Sequence, residues 1–108
     1  MFTNASILRI FIGESDKING KPLYEEIILE AKKRNLLGAT VLRGITGFGA
    51  HHQIHTSKVL DMSFDLPLVV EIVDQKEKLD LLLPFLAETV KEGLIMQEDT
   101  RIFVPGKK

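Results

Sequence analysis

The 108 residues are 44% hydrophobic and 27% charged with a formal net charge of -1, the balance of one soluble globular domain around a single core. Both signs are spread along the chain, so there is no basic footprint for nucleic acid, and no apolar run approaches the ~20 residues that span a bilayer. Met1-Phe2-Thr3-Asn4 lacks the cationic and apolar regions of a signal peptide, which leads to the expectation of a cytoplasmic protein without membrane insertion; zero cysteines exclude disulfides, thiolate nucleophiles and cysteine zinc sites.

In chain order, Ile7, Arg9 and Phe11 alternate with Leu8, Ile10 and Ile12, predicting a first strand from Ile7 to Ile12 that closes at Gly13. Asn19-Gly20 signals a turn. Pro22 suits the first helical position, Glu25 and Glu26 complement the positive end of a helix dipole, and Lys32, Lys33 and Arg34 complement its negative end. A helix is therefore expected over Lys21 to Leu37, with Leu23, Ile27 and Ala31 on its apolar stripe and Gly38 as its stop. A second strand, Ala39 to Phe48, ends in Gly47-Phe48-Gly49. Paired glycines let a backbone turn sharply and bring bare peptide N–H groups against a ligand.

The stretch from Gly49 to Asp65 keeps neither periodicity over its length and is read as an exposed flap, about 50–65, because loops beyond ~12–15 residues in compact domains are usually functional or mobile. Leu66-Pro67 restarts the chain extended, and Leu68 to Val73 is apolar enough for a strand covered on both faces. Asp74 is positioned to cap a second helix, Gln75 to Lys91, with Leu79, Leu82, Leu83, Leu86 and Val90 on one face and Pro84 expected to bend it. Gly93 ends that helix. Leu94 to Met96 starts a short strand, and Thr100 to Val104 resumes extended structure.

The order β-α-β-β-α-β predicts an α+β, ferredoxin-like sandwich: an antiparallel four-stranded sheet with two helices on one face. The second and third strands carry apolar residues at both parities, yet no further helix remains to cover the other face. Other subunits must supply that cover.

The detailed residues narrow this further. Gly38-Ala39-Thr40-Val41 followed by Thr46-Gly47-Phe48-Gly49 resembles the Gly-x-Thr-Val … Gly-Phe-Gly that leads into the T-loop of PII nitrogen-signalling proteins, and Val69 to Val73 resembles their third strand. Asp99-Thr100-Arg101-Ile102-Phe103-Val104 is similar to the Asp-Gly-Lys-Ile-Phe-Val of the PII phosphate-binding B-loop. From Leu8 to Ile102 the chain resembles the PII-like family called domain of unknown function 190.

That resemblance implies a single PII-like domain over 1–108, a homotrimer, and an adenine nucleotide of the ADP, ATP or AMP class in clefts between neighbouring subunits, with no cofactor required. Carried over, Thr40 matches a threonine that touches adenine. The backbone at Gly47 and Gly49, with Phe48 between them and Arg43 upstream, matches the cleft wall at the T-loop base. Glu71 and Val73 match third-strand cleft residues, Asp99 and Thr100 the B-loop, and Arg101 a lysine that contacts phosphate. Arginine presents a planar fork of donors to phosphate, and an ion pair with Glu71 would hold it ready in the empty site. Glu98-Asp99-Thr100 replaces the glycine-bearing B-loop, which leaves weaker phosphate binding or a different nucleotide open. The flap would present a surface to a protein or membrane-protein target.

His51, His52 and His55 sit in the flap, and His51 with His55 has the i, i+4 spacing that puts two imidazoles on one helical face. No glutamate follows His51 as in His-Glu-x-x-His, which favours solvated loop histidines; the alternative is a CutA-like trimer that binds divalent metal through them. Catalysis finds no constellation. Gly-x-Ser-x-Gly and a complete P-loop are missing, and the acidic Gly13-Glu14-Ser15-Asp16 is poorly suited to cradle the phosphoanion of an acylphosphatase.

Overall fold

A computed structural model describes residues 1–49 and 65–106. Strand β1 spans Thr3–Gly13, the short strands β2 and β3 span Lys17–Ile18 and Lys21–Pro22, helix α1 spans Leu23–Lys33 and β4 spans Gly38–Arg43. Strand β5 (Pro67–Asp74), helix α2 (Lys76–Thr89) and β6 (Leu94–Ile102) complete it. Strands β4-β5-β1-β6 form one sheet in that order with every neighbouring pair antiparallel, while β2 and β3 form a separate ribbon. This is the ferredoxin-like arrangement that the element order predicts. Among the described residues no helix is long and apolar enough to cross a membrane.

Local chemistry explains most boundaries. Asn19 and Gly20 both have positive φ (52° and 77°) and join β2 to β3 in a two-residue turn, as that dipeptide favours. Pro22 precedes α1 rather than opening it, and the Leu23 N–H donates to the Asp16 carbonyl at 2.8 Å. The helix stops at Asn35, not Gly38. Asn35 adopts left-handed φ (58°), its N–H reaches the Lys32 carbonyl and the Leu36 N–H reaches the Ala31 carbonyl, so the last carbonyls are satisfied in the Schellman manner. Asp74 is not the helix cap either. Its carboxylate accepts the Leu37 N–H at 2.9 Å and the Gln75 N–H at 2.6 Å, tying the end of β5 to the chain that enters β4.

The predicted strands shift where pairing decides. β1 begins four residues early because Thr3 to Ser6 pair with Asp99 to Ile102, and the two pieces foreseen near the C-terminus are one strand on that same ladder. β4 ends at Arg43 instead of Phe48. Helix α2 runs continuously through Pro84.

Register sorts the residues into two faces. Cross-strand rows Val41-Val70-Ile10-Ile95 and Ala39-Ile72-Leu8-Gln97 lie on the helix side, where Leu8, Ile10, Val70 and Ile72 are buried against Leu23, Ile27, Leu79, Leu82 and Leu86. The opposite face carries the rows Leu42-Val69-Phe11-Leu94, Thr40-Glu71-Arg9-Met96 and Gly38-Val73-Ile7-Glu98. Among the described residues no helix lies over it, and Leu42 and Leu94 remain 49% and 57% exposed. Apolar residues at both parities thus belong to a sheet that the described residues cover on one side only.

Candidate functional site

Two groups of candidate residues stand at opposite edges of the sheet. At the first, Thr40 on edge strand β4 faces Glu71 on β5, and Gly38 faces Val73, so Thr40, Glu71 and Val73 share the open face. Arg43, at the end of β4, is ion-paired with Glu14. Beyond it the chain folds onto the start of β5: the Gly44 N–H donates to the Pro67 carbonyl at 2.7 Å, and a Cβ on Gly44 would lie 2.9 Å from Pro67 Cγ. That close approach is the physical use of the glycine at this point. Gly47 also packs near Pro67, while Phe48 is 78% exposed and Gly49 is open. His51, His52 and His55 lie outside the described residues, as does nearly all of the flap.

At the second edge, β6 carries Asp99, Thr100 and Arg101. Asp99 accepts a hydrogen bond from the buried Ser6 hydroxyl at 3.2 Å, and Thr100 faces Ala5. Both line an open cleft of about 720 Å³ between the start of β1 and the first turn of α2, with Lys76 and Glu77 on its far side. Arg101 faces Asn4, and its guanidinium lies 5.4 Å from the centre of the Phe2 ring. Phe2 in turn packs against Phe103 in a tilted pair, 5.7 Å between ring centres and 48° between planes.

The expected pairing of Arg101 with Glu71 does not form. Glu71 is taken by Arg9, whose Nε donates to it at 2.9 Å while Nη1 donates to Glu98 at 2.5 Å. In the register, Arg101 stands five residues along β6 from Met96, the residue level with Arg9 and Glu71, so one chain cannot bring the two together. The triad Glu71-Arg9-Glu98 spans β5, β1 and β6 on the open face. Its hydrogen bonds to Glu98 first and Glu71 second raise the Arg9 pKa above its ordinary value, so the guanidinium stays charged. Sequence reasoning missed this residue. The signal was present: Arg9 is the one charge inside the Ile7 to Ile12 run, and it sits at the parity that faces away from the helices.

Spacing decides what the two groups can do. Thr40 and Arg101 lie three strand spacings apart across the sheet and five residues apart along it, roughly 20 Å within one chain at ordinary strand dimensions. A small ligand touching both would have to be held by two copies of the chain. Among the described residues no cluster of histidine and carboxylate side chains has the makings of a metal site.

A four-stranded antiparallel sheet in the order β4-β5-β1-β6, with both helices on one face and a long connection between β4 and β5, defines a PII-like fold. Solved structures agree. CPII from Thiomonas intermedia K12, bound to ADP, AMP and acetate, aligns with a TM-score of 0.68 at 15% identity over 97% of this chain and 94% of its own. The Bacillus subtilis GlnK-ATP complex aligns with a TM-score of 0.58 at 16% identity over 90% and 82%. Sequence comparison makes the assignment specific: the chain belongs to the DUF190 family, described as "Uncharacterized ACR", whose model matches residues 5–102. A UPF0166 protein of Aquifex aeolicus (strain VF5) is 40% identical over 89% of this chain and 90% of its own length, and one of Methanocaldococcus jannaschii is 35% identical over 92% of each.

Proposed function

We propose that this protein is a PII-like regulatory homotrimer that binds an adenine nucleotide between neighbouring subunits and signals through the segment that joins β4 to β5. One observation carries the reading: the residues that would hold the nucleotide are divided between opposite edges of the sheet. The β4 edge of one subunit offers Thr40, with Gly47, Phe48 and Gly49 beyond it, and the β6 end of the next offers Asp99, Thr100 and Arg101. Thr40 meets the base. Arg101 meets phosphate, with its planar fork of donors matched to anionic oxygens.

Assembly through the open sheet face supports this reading, because Leu42 and Leu94 stay exposed there beside Phe11 and nothing among the described residues covers them. The adenine nucleotides named for CPII and GlnK point to the same ligand class. Nucleotide occupancy changes the population of conformers in the β4–β5 connection, which presents or withholds a surface to a target protein; this is a population shift, not a reaction.

Calorimetric titration with ADP, ATP and AMP, alongside light scattering, tests the proposal. Saturable heats for at least one of the three and a trimer mass are expected. If none of them binds at millimolar concentration while a divalent metal does, the nucleotide reading is overturned in favour of the flap histidines.

A further inference from the structure

Arg101 has an unusual setting for a phosphate ligand that is held ready. Its guanidinium makes no ion pair among the described residues; the contact that holds it is the face of Phe2, 5.4 Å to the ring centre, and Phe2 is braced in turn by Phe103 at 5.7 Å. Glu98 is on the other face of β6, paired with Arg9, and Asp99, which shares the face of Arg101, accepts from the Ser6 hydroxyl. Register explains why these groups meet. Asn4 pairs with Arg101 and Thr3 with Ile102, so Phe2 continues β1 opposite Phe103, and the alternation of side chains places Phe2, Phe103 and Arg101 on one face of the strand ends.

A carboxylate partner would hold the side chain too, but it would occupy the N–H donors and cancel the charge that an anion needs. An aromatic face restrains the guanidinium through its π surface and leaves the in-plane donors open. Phe2 is 54% exposed and Phe103 45% exposed, so hydrophobic burial alone does not account for their position.

We propose that Phe2 is a positioning residue for nucleotide phosphate: stacked on Arg101 and backed by Phe103, it holds the guanidinium extended with its donors free. The proposal rests on the reading above that Arg101 meets phosphate, and it adds the residue that orients it. Phe2→Leu keeps apolar bulk and removes the π face, whereas Phe2→Tyr keeps the face. For an exposed cation–π contact, Phe2→Leu should weaken ADP binding by about two- to five-fold, leave adenosine binding unchanged, and be rescued by Phe2→Tyr.

The ligand-free protein supplies a readout that does not depend on nucleotide at all. The Arg101 Nε–H resonance should show an upfield ring-current shift that collapses in Phe2→Leu and returns in Phe2→Tyr. A resonance unmoved by Phe2→Leu overturns the positioning role, whether or not ADP binds. Wild type that keeps the ring-current shift but fails to bind ADP points instead to failure of the phosphate reading, and Phe2 then has no phosphate to serve. Equal loss of ADP and adenosine binding in Phe2→Leu also counts against it, since a merely structural residue would act on both.

Discussion

Replacing Leu42 by aspartate puts a charge on the row Leu42-Val69-Phe11-Leu94, which crosses all four strands of the open face. Full burial of a leucine is worth about 1.5–3 kcal/mol, and Leu42, Leu94 and Met96 are still 49%, 57% and 40% exposed in the single chain. Covering these three by neighbouring copies would therefore contribute about 2–4 kcal/mol per chain, as an upper estimate, before the half-buried Ile7, Phe11, Val69 and Val73 are included. Leu42→Asp removes about 1 kcal/mol of that and leaves an unpaired carboxylate in the covered surface, where the penalty is several kcal/mol per ion. Light scattering at micromolar concentration should show the wild type at three times the chain mass and the variant at one. Circular dichroism should show the fold of the chain retained, because Leu42 lies outside the buried core. A wild type that runs as a monomer, or a variant that keeps the full assembly mass, refutes the argument that this face is covered by other copies.

Arg101→Ala should weaken ADP binding by about 1.5–3 kcal/mol, the range for a hydrogen bond to a charged group, whereas Thr40→Val should weaken adenosine, AMP and ADP alike; calorimetry across the three separates a phosphate contact from a base contact. Gly93→Ala should destabilise the fold by at least about 2 kcal/mol in urea melts, since its φ is 142° and the new Cβ would lie 2.3 Å from the Phe11 carbonyl oxygen, a backbone atom that cannot move aside cheaply. Leu86→Ala, at a fully buried position between α2 and the sheet, should lose about 2–5 kcal/mol in the same assay, and a loss below 1 kcal/mol would mean that the core is not packed as described. Because the Arg9 pKa is raised, its pairing stabilises from above the ordinary carboxylate range up to the ordinary guanidinium range, and on the alkaline side it is lost only as pH rises through the still higher folded value. The stability difference between wild type and Arg9→Met should accordingly be flat from about pH 6 to about pH 10; a loss of that difference within this window contradicts the triad.

How much was legible in the chain depended on how local the cause is. The strand from Ile7, the helix stripes of Leu23-Ile27-Ala31 and Leu79-Leu82-Leu86, and the Asn19-Gly20 turn follow from periodicity and from φ preferences, which act over a few residues, and all of them appear in the fold. The glycine-rich end of the Thr40 strand and the Asp99 to Val104 match pointed to the family directly. Boundaries were less legible because competing local signals exist: Gly38 and Asn35 can each stop α1, and the one that also lets Leu36 and Ala31 close the last turn prevails.

Partnership between distant strands lay beyond reach of the sequence alone. The resemblance paired Glu71 with Arg101, and only the antiparallel register, which sets Glu71 beside Arg9 and leaves Arg101 level with Asn4, gives it to Arg9 instead. The same register divides one motif list into two groups of candidate residues at opposite edges of a sheet. The sequence by itself determined the elements and the chemistry they carry. Tertiary structure decided which side chains meet, because a hydrogen-bond ladder fixes contacts between residues 60 to 90 positions apart that no local preference encodes.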